Sequence, residues 1–414
     1  MTSTRFQTTL SCIIKYVSGT ATPAHASNPK PKGSPVSSAL NTIPLTARNA
    51  TLADLSGILR QQEAHKLDIV AGTAMLQAEA GLIRLTGAEP IINEFGVTSS
   101  DGLYRPTELG DAGLADKLGI PTAYLRKTRA QALHLYDANV NGWLDLSQGK
   151  RYLVRCLSDG SGGGIMRAFL SDGYKIIDNL DVLTAILSGI KESGIRVKFS
   201  CDLSERRMVV RVHSEAIKSI APALLRNYRS PFTGATGADN PVVFAGFDFT
   251  NSETGSGAAT VTPRIVIQIC NNGMKITEDA LRAVHLGAKM DEGTIRWSSD
   301  TQQANLTLIT KQARDAVRRF LDVRYVQRKI EEIEEKAGRR IADPDHTVRV
   351  IGQRLRFTED EQRLVLNHFI DGADRTAGGI LHAVTSAAQT LTDPDAAFDM
   401  EGFGLRAMKL AATL

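Results

Sequence analysis

The sequence predicts an α+β protein. Apolar residues recur at helical spacing in the first and last thirds of the chain. Between residues 151 and 300 the period falls to about two, the mark of half-buried strands. Those runs are joined by short turns of Gly, Asn and Asp, which make antiparallel hairpins rather than alternating βαβ units. The expected plan is a flexible tail over 1–50, a helical region over 51–150, a hairpin-built antiparallel sheet over 151–300 and a helical region over 301–414.

Residues 18–50, rich in Ser, Thr, Pro, Ala and Asn, read as flexible chain. Helical spacing starts near Thr51. Residues 112–129 place apolar residues on both sides of Gly119, and Pro121 suits the start of a second helix. This pair has the outline of a helix-turn-helix, an outline shared by many folds. From Tyr152 the chain alternates, and Ser171-Asp172-Gly173 supplies a turn between strands on either side. Asp178 stands where it caps the helix of residues 180–190. Residues 195–202 and 206–214 form the next hairpin, and two long runs at 244–250 and 259–270 form another. Residues 302–336 lack Gly and Pro, so one helix of roughly 30 residues is expected. Thr358 to Glu361 is a capping box for a further helix.

Hydrophobic residues make up 42% of the chain and charged residues 23%. That balance is ordinary for a protein with a substantial core. A net charge of +4 over so long a chain argues nothing by itself about nucleic acid. Cys12, Cys156, Cys201 and Cys270 form no C-x-x-C and read as reduced thiols of a cytoplasmic protein. No run of about 18 apolar residues marks a membrane span, and the N-terminal apolar patch is short for a signal peptide.

Catalytic motifs are absent. The Gly-rich stretch at 158–164 lacks the lysine of a phosphate-binding loop, and neither H-E-x-x-H nor G-x-S-x-G occurs. Asp343, Asp345 and His346 lie close in sequence as potential metal ligands, yet a solvated turn is the commoner use of such a segment. No metal and no cofactor are expected. The basic residues are more informative. Lys311, Arg314 and Arg318 share one helix face, and the same helix turns acidic from Glu331 to Glu335. Lys198, Arg206, Arg207 and Arg211 mark the hairpin at 196–211. Arg226 and Arg229 flank Tyr228, a pattern suited to phosphates and one stacked base. Each of these groups also fits a charged, solvated face.

One segment is similar to a known family. Asn251, Ser252 and Glu253 leave the first long run, and Asn271, Asn272 and Gly273 close the second. With Asp172, Asp178 and Asn179 in RAFLSDGYKIIDNLDVL, and Asn141 to Leu144 after the paired helices, they resemble a phage- and plasmid-borne family, domain-of-unknown-function family 932. His382 stands where the resemblance has Asn. The resemblance implies a mobile element in a bacterial host and supplies no reaction. The hairpin sheet beside a long basic helix is similar in architecture to phage single-strand annealing proteins. The resulting expectation is a protein that binds and anneals single-stranded DNA and assembles head to tail into rings or filaments. A self-assembling structural protein and an enzyme with a dispersed site are the alternatives.

Overall fold

A computed structural model of the chain describes residues 43–93, 96–174, 177–283 and 299–414. It is α+β, with 48% helix and 26% strand. The strands form two principal sheets rather than one central sheet.

Residues 1–42 of the expected tail lie outside the described residues. The rest of it is ordered. Ile43 is buried, and β1 (Ala47–Ala50) forms a sheet edge because Arg48 Nη1 and Asn49 N both donate to Asp202, at 2.5 and 2.7 Å. Thr51 and Asp54 close a capping box on α1 (Leu52–His65). The region expected to be helical then turns to strand: β2 (Lys66–Gly72), β3 (Leu76–Glu79), β4 (Leu82–Leu85), the hairpin β5 (Ile91–Asn93) and β6 (Gly96–Thr98), and β7 (Gly102–Pro106). Leu67, Ile69 and Ala71 are buried at alternate positions of β2. Runs of three to five residues are too short for periodicity to separate them from loops.

The paired helices occur as expected, α2 (Glu108–Leu118) and α3 (Thr122–Gln131), with Gly119 at φ 70° between them. With α4 (Leu133–Leu146) they cover the first sheet, burying Leu114, Leu125, Tyr136 and Val140. A Cβ on Gly113 would stand 2.5 Å from the Phe169 carbonyl oxygen, so α2 packs at backbone distance. That contact is with β9 (Gly163–Ser171), the partner of β8 (Arg151–Ser158). The first sheet runs β2-β8-β9-β7-β4-β3, antiparallel except where β7 meets β9 in parallel. The strand expected after the Asp172 turn is not formed at Tyr174 or Ile177, and residues 175–176 lie outside the described residues.

After α5 (Asn179–Ser193) come β10 (Lys198–Leu203), β11 (Met208–Ile220), the short α6 (Pro222–Leu225), β12 (Val242–Asn251), β13 (Ala259–Ile267), β14 (Gly273–Lys275) and β15 (Leu281–Ala283). The second sheet runs β1-β10-β11-β12-β13-β14, with β15 also on β13, and both expected hairpins are present. Side-chain alternation gives this sheet two unlike faces. Cys201, Val210, Phe247 and Ile265 face the larger core, shared with α5 and with α7 (Ser299–Phe320). Asp202, Arg211, Asp248, Arg264 and Lys275 line the opposite face.

The expected single helix over 302–336 is broken. α7 ends at Phe320 and α8 (Val323–Ala337) restarts, because the Asp322 carboxylate accepts from Arg324 N at 2.7 Å and Tyr325 N at 3.1 Å. An aspartate competes for backbone N–H groups in this way without any Gly or Pro signal. The remaining helices are α9 (Pro344–Leu355), α10 (Glu359–Asp371) with the expected Thr358–Glu361 capping box, α11 (Ala377–Thr390), α12 (Pro394–Gly402) and α13 (Gly404–Ala411). No described helix is long and apolar enough to cross a membrane.

Candidate functional site

Five of the residues singled out in the sequence, Asp178, Asn179, Asn251, Ser252 and Glu253, lie at the junction of the two sheets. Arg155, from β8, is completely buried and reaches across it. Its guanidinium donates to both Asp68 oxygens at 2.7 and 3.0 Å, to Asp178 Oδ1 at 2.6 Å and to the Glu253 carbonyl at 2.9 Å. Lys66 Nζ approaches Asp178 at 2.6 Å from the other side. Glu253 holds Arg167 Nη1 at 2.8 Å with one oxygen and accepts from Asn179 N at 2.6 Å with the other. Asn251 Nδ2 donates to Ile177 O and to Asn179 Oδ1. Ser252 Oγ donates to Arg206 O at 2.7 Å.

Asp178 therefore occupies the cap position of α5 without capping it; Glu253 takes that role from the far sheet. Burial pushes the Asp178 carboxyl up, but the Arg155 and Lys66 charges overcome this and hold it at about 2. At Asp181, one turn on, burial and then the Asp178 and Glu63 charges outweigh Lys66 and raise the carboxyl to about 6. This arrangement is a mechanical joint whose polar groups are largely spoken for. Asp172 sits in the turn after β9 and takes no part in it.

The second set of motif residues supports the core. Asn271 turns the chain at φ 55°. Asn272 donates to the Tyr228 hydroxyl at 3.2 Å, and Tyr228 stacks on His382 at 4.1 Å. Gly273 has no side chain because the Arg264 guanidinium occupies its place; a Cβ there would lie 1.6 Å from Nη2.

Several residues expected to meet nucleic acid are engaged elsewhere. Tyr228 is 1% exposed and is a core residue, not a stacking platform. Arg211 pairs with Asp202 at 2.5 Å. Arg207 pairs with Asp395 at 2.9 Å and Asp399 at 2.8 Å. Arg314 meets Glu192 at 3.5 Å and Asp315 at 3.1 Å. Lys198 is exposed but paired with Glu215 at 2.6 Å. Arg206, Arg226, Lys311 and Arg318 are exposed and form no ion pair among the described residues; Arg229 is exposed and donates to Gly234 O. In the acidic segment, Glu334 turns inward and accepts from Ala223 N and Leu224 N, each at 2.9 Å, so it satisfies the start of α6. Asp343 likewise caps α9 through His346 N at 3.0 Å, so the potential metal loop is a helix start. Among the described residues no group of three His, Cys, Asp or Glu stands in place for a metal ion.

Folding also assembles a cluster that sequence order hides. Arg229 N donates to Gly372 O at 2.9 Å, and the Asn227 side chain bonds Asp374. Ile341 N donates to Arg375 O at 2.9 Å, and Ala377 N to Arg339 O at 2.7 Å. Three distant segments are thus held side by side, and they carry Arg226, Arg229, Arg339, Arg340 and Arg375. All five are exposed, and none forms an ion pair among the described residues. Asp239, Asp343, Asp345 and Asp371 are exposed carboxylates on the same segments. The Arg339-Arg340 pair is visible in the sequence; its neighbours are not. Phe232, 46% exposed, lies three residues from Arg229.

Comparison of the chain with protein-family models, curated proteins and solved structures finds no match.

Proposed function

We propose that the protein binds the phosphate backbone of single-stranded nucleic acid, in the service of strand annealing on a phage or plasmid. The gathering of Arg226, Arg229, Arg339, Arg340 and Arg375 from three chain segments carries this reading. Guanidiniums present planar forks that match phosphate oxygens and need no base contact. Phe232 offers one exposed ring beside them for base stacking, the role that buried Tyr228 does not fill. Exposed Lys311 and Arg318 on α7 are separate cations, before the start of α8, whereas Arg339 and Arg340 follow its end. Glu331 and Glu335 on α8 supply the acidic counterpart for head-to-tail contact between copies.

The test is fluorescence anisotropy with single- and double-stranded oligonucleotides at two salt concentrations. Single strands should bind without sequence preference, with a log–log salt slope of about 0.7 per phosphate neutralised. The Arg339→Glu/Arg340→Glu variant should bind much more weakly and with a shallower slope. Absence of binding at low salt, or a variant that binds like the parent, refutes the reading. Light scattering with and without DNA reports assembly.

A further inference from the structure

The polar face of the second sheet holds a cleft of about 420 Å³. Small-molecule sites usually enclose volumes on the order of several hundred cubic ångströms, so the cleft is of suitable size. We propose that this cleft binds a small phosphorylated molecule of mononucleotide size. The inference is independent of the nucleic-acid reading, because none of the five clustered arginines lines the cleft.

Strand order sets out the cleft's chemistry. Arg48 stands on β1, Lys198 on β10 and Arg211 on β11, so three cations share one side. Two strands farther on, roughly 10 Å away at the usual spacing, Asn271 lines the other side with Gln389, whose Nε2 already donates to Cys270 O and Asn272 Oδ1. Between them Gly246 pairs with His213 and Arg264, whose side chains close over it and line the floor. The facing charges are nearly matched. Arg48, Lys198, Arg211, Arg264 and Lys275 stand against Asp202, Glu215, Asp248 and Glu401, which leaves one positive charge in excess.

Not every donor is spent on those acids. Arg211 gives Nη1 to Asp202 and directs Nε to Glu401 at 3.6 Å, and its Nη2 has no partner among the described residues. Arg48 gives Nη1 to Asp202 and Asn49, while its Nε is buried without a hydrogen bond. The buried Arg48 Nε costs free energy without an acceptor, whereas Arg211 Nη2 is open to the cleft's solvent. A phosphate at the Arg48–Lys198–Arg211 side supplies oxygens for Arg211 Nη2 and for the exposed Lys198, and a polar head group then reaches the amide side.

Isothermal titration of the full chain with adenosine 5′-monophosphate tests the assignment, with adenosine and inorganic phosphate as companion probes. The nucleotide should bind saturably, inorganic phosphate should compete with it, and adenosine should bind at least about tenfold more weakly, the equivalent of one charge-assisted hydrogen bond. Ser200→Trp, at a cleft-lining position opposite Arg211, fills the cleft and should abolish binding. Lys198→Ala, at an exposed position, should weaken it while leaving the thermal melt unchanged. Arg339→Glu/Arg340→Glu should bind the nucleotide like the parent. The proposal falls if no probe binds at millimolar concentration, if adenosine binds as tightly as its phosphate, or if a folded Ser200→Trp protein binds normally. It also falls if the arginine-cluster variant, rather than the cleft variants, loses the nucleotide.

Discussion

Arg155→Met removes the cation on which the two sheets converge. The residue is fully buried, and its loss leaves Asp68 and Asp178, 18% and 12% exposed, facing a thioether. Removing one member of a buried pair costs about 3–5 kcal/mol. Lys66 remains 2.6 Å from Asp178. The lower figure of about 3 kcal/mol therefore applies. Unfolding a chain of this length at about 2.1 cal/mol/K per residue gives an entropy of about 0.9 kcal/mol/K, so Tm should fall by about 3–4 °C. Urea melts at pH 7 and pH 5 add a directional test. In the parent, Asp178 is held at about 2, below its unfolded value of 3.8. Its contribution is thus intact at both pH values and is lost only as pH falls through that interval. In the variant, burial meets less opposition and the carboxyl moves up, so the variant gains relative stability as pH falls towards 5. The deficit should therefore be larger at pH 7. Asp68→Asn added to the variant should recover part of it, because that carboxylate no longer lies uncompensated. A loss below about 1 kcal/mol, or an equal deficit at both pH values, refutes the view that this arginine is the electrostatic centre of the joint.

Two further outcomes are expected. Gly273→Ala places a methyl on the Arg264 guanidinium, which is itself fixed to Asp248 at 2.8 Å and Glu401 at 2.7 Å; overpacking of this kind should cost about 1–3 kcal/mol in a denaturant melt, and an unchanged melt refutes it. Asp322→Ala removes the cap that restarts the chain between α7 and α8, and should cost about 1 kcal/mol while lowering helix content by circular dichroism no more than locally; a stabilised variant would mean that the break is imposed by packing alone.

Elements long enough to show a period were legible: the hairpins at 198–213 and 242–267 and the capping box at Thr358 stand where their residues place them. Strands such as Leu76–Glu79 and Leu82–Leu85 were not, since four residues satisfy a helical or an extended pattern equally well. The same limit hid the first sheet, whose edge strand β2 pairs with the distant β8, Lys66 standing opposite Leu157. For the site, motif residues such as Asn251 and Glu253 were legible as a group, but not their target: nothing near Glu253 in sequence announces that it caps a helix starting at Asn179. Charged residues misled for a related reason. Arg211 reads like any strand arginine until Asp202 comes to lie beside it, and Arg375 reads as isolated until the backbone pairs it with Ile341.

The distance in sequence between Arg264 and Glu401, 137 residues, bears on how the chain is made. At synthesis rates of about 5–20 residues per second, roughly 7–27 s separate the two. During that interval the second sheet has its strands but not the helix that delivers the neutralising carboxylate. Arg211, Arg264 and Lys275 then share only Asp202 and Asp248 on that face. A nascent chain in this condition carries a cationic sheet surface beside the polyanionic ribosome. Docking of α12 is accordingly a late, long-range step, and it brings Glu401 to Arg264 and Lys275.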